Sequence, residues 1–224
     1  MPTVPLRELS ALFPEAGLPA AATFPGLLPP LAAYLELLMQ WNGVMNLVGA
    51  RTWQEAFCTL VVDSFHLASF VEEHVRQAEP RCWDLGAGGG LPGVVLRMLW
   101  REGDYWLVEA REKRALFLST VLARCPLPGV RVFRGRAEQF MAGPPPRTAD
   151  LVVSRAFMPW RDVLALVRPR LAADGRVVFL LKEPLDELPC AGWRRVGLHD
   201  YKVGAATRFL CALAPVSDLD APDR

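Results

Sequence analysis

Four glycines within five positions, Gly86, Gly88, Gly89 and Gly90, follow a short apolar run and precede an apolar helical pattern. No other stretch restricts the chain as much. Residues 82–85 read as a buried strand, and residues 94–99 read as a helix opened by Pro92. Proline suits a first helical turn because its missing N–H would be an orphan there anyway. Glycine at such a bend permits positive φ and removes the Cβ that would hold a ligand off the backbone. The free N–H groups and the positive dipole end of the helix then face whatever lies over the loop. A bend with no ligand seldom needs so many glycines, so the stretch reads as a nucleotide-cofactor loop.

Spacing bears on which cofactor. Gly88-x-Gly90-x-x-Gly93 fits the dinucleotide pattern, a weak signal by itself. The frame Asp84-x-Gly86-x-Gly88-x-Gly90 is instead the carboxylate-plus-glycines signature of S-adenosylmethionine (SAM) enzymes. The acid matters physically. A carboxylate beside the loop holds a methionine ammonium, directly or through water, and would repel a pyrophosphate. SAM is therefore preferred to a nicotinamide dinucleotide, with a ligand-free βα turn as the bland alternative.

At 224 residues the chain suffices for one α/β core and a small appendage, and 52% hydrophobic residues make it a folded globular protein. A net charge of +1 neither supports nor excludes a nucleic-acid partner. The basic residues are nearly all arginine, Lys113, Lys182 and Lys202 being the lysines. That bias reflects either genome composition or phosphate recognition by a planar donor fork. Five cysteines, Cys58, Cys82, Cys125, Cys190 and Cys211, are odd in number and form no C-x-x-C pair. Neither a disulfide framework nor a metal site is expected, and a reducing cytoplasm is the simplest setting. The apolar residues 24–39 are broken by Pro25, Pro29 and Pro30, so no membrane span is expected.

Taken in order, residues 6–13 suggest a short helix, and Pro29-Pro30 opens another in which Leu31, Tyr34, Leu35, Leu38 and Trp41 share a face. Asn42-Gly43 is expected to stop it. A third helix is expected from Thr52 or Trp53 to Val75, with Thr52 and Glu55 as a capping box. Trp41 and Trp53 read as core anchors rather than base-stacking platforms. Residues 1–78 thus form a helical cap, with 1–28 partly irregular. From Arg81 strands are expected near 82–85, 105–108, 130–133, 151–154, 177–181, 194–203 and 208–213, with helices over 92–101, 111–124, 137–141 and 159–171. This alternation calls for a parallel sheet covered on both faces. The last two strands leave no room for a helix between them and should form an antiparallel hairpin at the edge. The fold expected is α/β, a Rossmann-like class I SAM-dependent methyltransferase with a mostly parallel seven-stranded sheet. Its core spans 79–215, with a loop at Pro144-Pro145-Pro146 and a disordered tail over 216–224.

In such sheets ligands bind beyond the carboxyl ends of the strands. Glu109, after the second strand, can accept hydrogen bonds from both ribose hydroxyls, unless it is an ordinary surface acid. After the third, Glu138 or the Ala137 backbone can take the adenine edge, or Glu138 merely complements a helix N-terminus. Ser154-Arg155-Ala156-Phe157 follows the fourth, where methyltransferases keep their reacting groups. It is neither an Asn/Asp-Pro-Pro-aromatic set for an exocyclic amine nor a Pro-Cys pair for addition to a pyrimidine. A target whose reacting atom already carries a lone pair needs neither. Guanine N7 is such an atom, requiring alignment and desolvation more than a base. Arg155 can orient a phosphate, the cofactor carboxylate or guanine O6/N7. Phe157 can stack on the base or pack in the core.

Together these motifs resemble the RsmG (GidB) family, bacterial guanine-N7 methyltransferases of small-subunit ribosomal RNA. The resemblance runs from about Leu35 to Leu213. It is carried by Trp41-Asn42 with Asn46-Leu47, Asp63-Ser64, the loop through Leu91-Pro92-Gly93, Lys113-Arg114 with Phe117-Leu118, Gly135-Arg136-Ala137-Glu138, Ser154-Arg155-Ala156-Phe157 and Leu181-Lys182. It implies SAM as cofactor, contacted by Gly86, Leu91, Ala137, Glu138 and Arg155, with no general base. It also implies 16S rRNA or the assembling 30S particle as partner, with Lys182 facing the RNA or the pocket; the basic residues Arg111, Lys113, Arg114, Arg134, Arg136 and Arg155, with Phe157, are the further candidates for RNA contact, with salt-dependent affinity. A monomer is expected. The chain departs from the family pattern on its basic side: Thr59-Leu60 stands where members carry Lys/Arg-His, Lys182-Glu183 where they carry Lys-Gly, and Arg208-Phe209 where Arg-His is common. Those departures motivate one other reading, a methyltransferase of another nucleobase or a small molecule. A SAM- or rRNA-binding assembly factor without turnover is the rival from another class, against which Asp84, Glu109 and Arg155 argue.

Overall fold

A computed structural model describes residues 3–143, 147–185 and 191–216. The expected loop at 144–146 and the tail from 217 lie outside the described residues.

The cap begins with α1 (Leu6–Glu15), which buries Leu9 and Phe13. Helix α2 (Leu28–Met45) carries its prolines in the first turn and buries Leu31, Ala32, Tyr34, Leu35 and Leu38. It does not stop at Asn42-Gly43. The helix ends instead at Asn46, which takes the left-handed conformation with φ 50°. Asn42 is spent on the following loop, its Nδ2 donating to Ala50 O at 2.8 Å and its Oδ1 accepting from Val48 N at 2.9 Å. The helix expected over 52–75 is interrupted. Helix α3 (Trp53–Ala56) runs into a π-helical turn (Phe57–Val61) before α4 (Val62–His74). Thr52 Oγ1 accepts from Glu55 N at 3.1 Å, as a capping box requires, while the Glu55 carboxylate reaches back to Arg51 N at 2.7 Å.

The sheet comprises β1 (Arg81–Leu85), β2 (Asp104–Glu109), β3 (Val130–Arg134), β4 (Ala149–Arg155), β5 (Leu171–Leu181), β6 (Trp193–Val203) and β7 (Ala206–Pro215). Between them lie α5 (Gly93–Leu99), α6 (Glu112–Arg124), α7 (Ala137–Ala142) and α8 (Trp160–Val167). Strand order is β3-β2-β1-β4-β5-β7-β6. The first five strands are parallel, and β7 runs antiparallel to both β5 and β6, so β6 takes the edge. Strand β5 starts at Leu171 rather than 177, with its register against β4 shifted between Ala149 and Leu151.

Side chains alternate across the sheet. Cys82, Leu107, Leu151, Val153 and Val178 face α5, α6 and the cap, in one cluster that reaches from Val4 to Ala212. Trp83, Leu85, Val108, Val152 and Phe179 face α7 and α8. Trp53 is buried, and Trp41 lies against Phe117 with ring centroids 5.7 Å apart, so both tryptophans serve the core. Among the described residues no helix is long and apolar enough to cross a membrane, and no group of three His, Cys, Asp or Glu side chains is placed to hold a metal.

Candidate active site

Strands β1 to β4 end along one edge, and a cavity of about 320 Å³ opens there. Its wall includes Gly86, Glu109, Arg111, Arg114, Arg136, Ala137, Glu138, Ala156, Phe157 and Met158. That volume is at the small end of ligand pockets. Eight of the residues singled out from the sequence therefore meet at one place, contributed by four separate strand ends.

The bend after β1 is fixed from three sides. Gly86 N and Ala87 N both donate to Val108 O, at 2.9 and 3.1 Å. The Glu109 carboxylate accepts from Gly88 N at 2.9 Å and from Arg111 N at 2.7 Å. A carboxylate has about four acceptor positions, so two remain for hydroxyl groups in the cavity. From the cap, the buried Tyr34 hydroxyl donates to Gly89 O at 2.6 Å, and Ser64 Oγ donates to Pro92 O at 3.2 Å. Gly86 has φ 74°, and a Cβ there would sit 2.6 Å from the Phe157 ring, which lies directly on the bend. Gly90 serves packing: its Cβ would be 2.7 Å from Val94 and 3.1 Å from Leu118.

Asp84 and Arg155 do not line the cavity, and strand alternation explains both. Asp84 shares the face of Cys82 and so lies under the bend, 2% exposed, against the start of α5. Its Oδ2 has no hydrogen-bond partner among the described residues. Burial raises its pKa to about 7, opposed by the Gly93 N–H and by Arg155 and reinforced by Glu109. Arg155 shares the face of Leu151 and Val153, toward the cap. Its guanidinium pairs with Asp63 at 2.7 Å. The cavity wall resumes one residue later at Ala156, a non-glycine residue with φ 50°. Of the remaining expectations, Gly88 and Gly90 are buried in the bend and Leu91 packs, half-buried, against the cluster that cap and sheet share. Lys113 and Lys182 are exposed and are not part of the cavity wall.

Asp63 was visible in the sequence only as part of the Asp63-Ser64 pair. The structure gives it a dense surround. It is 1% exposed and accepts from the Tyr201 hydroxyl at 2.9 Å, beside Arg155 at 2.7 Å and Arg208 at 3.3 Å. A charge in the middle of an otherwise apolar helical stripe was the available signal. Tyr34 likewise sits on such a stripe and read as plain core.

A SAM molecule suits these residues on physical grounds. An orphaned carboxylate oxygen lies beneath a side-chain-free bend, and spare acceptors of Glu109 face the neighbouring cavity. Five parallel strands with an antiparallel β7 inserted between β5 and β6, a glycine bend after β1 and an acid closing β2 define a class I SAM-dependent methyltransferase. The fold is shared with a crystallised MtNAS mutant in complex with S-adenosylmethionine, at TM-score 0.59 and 15% identity over 95% of this chain and 78% of that one. Residues 28–196 match the GidB family, rRNA small subunit methyltransferase G. The ribosomal RNA small subunit methyltransferase G of Nitratidesulfovibrio vulgaris (strain DP4) is 52% identical over 94% of both chains. That of Oleidesulfovibrio alaskensis is 44% identical over 95% of this chain and 96% of its own. The chain belongs to the rRNA small subunit methyltransferase G family.

Proposed function

We propose that the protein transfers a methyl group from SAM to N7 of a guanine in 16S rRNA, presented as free RNA or in the assembling 30S particle. It acts in this reading as a cytoplasmic monomer. One observation carries the reading. The cavity brings the glycine bend, Glu109 and the Ala137-Glu138 turn together with Arg111, Arg114 and Arg136 at its wall.

SAM supplies an electrophilic methyl group on a sulfonium. Glu109 accepts from the ribose hydroxyls, and the Ala137 backbone with Glu138 takes the adenine edge. Gly86, Gly88, Gly90 and Leu91 shape the bend, with Asp84 beneath it as the counter-charge for an ammonium group. Phe157, resting on Gly86, offers its ring to the guanine and screens the cavity from water. Arg155 sets the orientation of this corner. Arg111, Arg114 and Arg136 at the cavity wall, with the exposed Lys113 and Lys182, hold phosphates of the RNA. N7 carries no proton, so the chain needs to align and desolvate rather than deprotonate.

Labelled SAM offered with naked rRNA, small subunits or a metabolite extract tests the proposal. Label is expected as N7-methylguanosine in rRNA. Label confined to the extract would overturn it, as would an undiminished N7-methylguanosine content in rRNA from cells lacking the protein.

A further inference from the structure

We infer that Asp63 is a positioning residue for methyl transfer, acting through Arg155 to couple the helical cap to the wall of the cofactor cavity. The inference rests on the proposed function, because it takes Arg155 as the group that orients the reacting corner.

Burying a carboxylate is costly unless cations and donors compensate it. Asp63, at 1% side-chain exposure, has more than compensation requires. Arg155 Nη2 and Arg208 Nη1 both approach its Oδ2, at 2.7 and 3.3 Å, and Tyr201 donates to Oδ1 at 2.9 Å. One cation neutralises one anion. A second guanidinium, also mostly withdrawn from water, is more than Asp63 alone requires, so Arg155 is shared between Asp63 and the carboxylate under the cofactor bend. The same two arginines reach the backbone of the π-helical turn, Arg155 to Leu60 O at 3.5 Å and Arg208 to Thr59 O at 3.4 Å. π-Helical turns concentrate at functional sites, where they re-aim neighbouring groups. Asp63 follows this one by two residues, so the turn delivers its carboxylate to the end of β4.

What happens there reaches the cavity in three residues. Arg155 closes β4, Ala156 holds φ 50°, and Phe157 lies on Gly86 with Met158 beside it in the wall. Moving the Arg155 guanidinium turns a backbone that has little freedom, because a non-glycine residue in the left-handed region must be held by its surroundings. Arg155 also faces the other way electrostatically. It lies close enough to lower the pKa of Asp84 beneath the bend. Asp63 and Asp84 therefore pull on one guanidinium from the cap and from the cofactor loop.

A strut that only fastens cap to sheet would show itself in stability. A positioning residue shows itself in turnover, and only while Arg155 is present. The test is a double-mutant cycle on rRNA methylation with Asp63→Asn, Arg155→Ala and the pair, alongside thermal melting. Arg155→Ala is expected to lower kcat by about 100-fold. Asp63→Asn is expected to lower kcat at least about tenfold with the KM for SAM moved less than about twofold, and to have no further effect in the Arg155→Ala background. Tyr201→Phe keeps all three charges and loosens Asp63 without threatening the fold. Its loss of a few-fold in kcat is likewise expected to vanish when Arg155 is alanine. Normal turnover in Arg155→Ala, or losses that multiply in both backgrounds, would overturn the inference. A wild type that leaves rRNA unlabelled would instead defeat the substrate reading, and the cycle is then read on the acceptor that does take label.

Discussion

At the end of β1 one carboxylate carries an unusual electrostatic load. Asp84 is buried under the glycine bend, and desolvation lifts its pKa from 3.8 to about 7. A raised carboxylate pKa means that between about pH 4 and 7 the folded chain keeps a proton the unfolded chain has lost. Stability therefore falls as pH rises through that window and levels off above about 7, a cost on the order of 4 kcal/mol. Asparagine keeps the shape and cannot ionise. In urea titrations Asp84→Asn is expected to flatten the pH profile, gaining ~3 kcal/mol relative to the wild type between pH 5 and pH 8. Parallel profiles for the two proteins would show that the carboxyl is not the group responsible. SAM affinity should fall in the same variant, because the tolerated strain at this residue is the mark of a site kept for binding.

Among the elements, β2 holds the cofactor bend from the sheet and α2 holds it from the cap. The Tyr34 hydroxyl of α2, kept protonated because burial pushes the phenol pKa upward, donates to Gly89 O at 2.6 Å. Tyr34→Phe leaves that carbonyl buried without its donor, at about 1–3 kcal/mol. For a chain of this size the melting temperature should drop by roughly 2–4 °C per kcal/mol. Calorimetry should also show SAM binding weakened several-fold, whereas an equal loss of stability with unchanged affinity would confine Tyr34 to packing. Elements like these differ in how far the sequence reveals them. Strands β1, β2 and β3 are legible within a residue because each is a short apolar run between turn residues, and Thr52 with Glu55 announces a helix start by local chemistry. The cavity-lining Glu109, which closes β2, and Ala137 and Glu138, just past β3, follow from the ends of such strands. By contrast, α2 outruns Asn42-Gly43 because Asn42 bonds to a loop up to eight residues away. The π-helical turn is stabilised by arginines nearly a hundred or more residues distant, and no local pattern encodes that. Arg97, a charge inside the apolar helical pattern after the bend, is 1% exposed and donates to the carbonyls of Arg101, Glu102, Gly103 and Pro128, partners that no local spacing displays. Asp84 near the end of β1 follows from its apolar run, Arg155 closes β4 rather than following it, and the aim of both is set by alternation across the sheet, which motif spacing does not display.

For the whole molecule, charge and apolar surface set separate tests. The net charge is only +1, yet Arg111, Arg114 and Arg136 gather at one cavity wall. Affinity for rRNA should therefore fall steeply as salt rises, while affinity for SAM barely changes. Replacing Arg111 by alanine should reduce that salt slope by about one unit. The cap raises the larger question of what the sheet can do without it. Leu9, Phe13 and Leu35 from the cap share one cluster with Leu107, Leu151, Val178 and Ala212 from the sheet. Residues 79–224 alone would present that whole face of the sheet to water, far beyond the few hundred Å² that soluble monomers expose. They would also lose Tyr34 and Ser64, which hold Gly89 and Pro92. The shortened chain is expected to aggregate or to lack a cooperative melting transition, and to bind SAM much more weakly than the full chain. Size-exclusion chromatography, circular dichroism and calorimetry on the two proteins decide the matter. A monomeric, cooperatively melting fragment with undiminished SAM affinity would mean that the bend is shaped by β1, β2 and α5 alone, and that the cap's bonds to it are incidental.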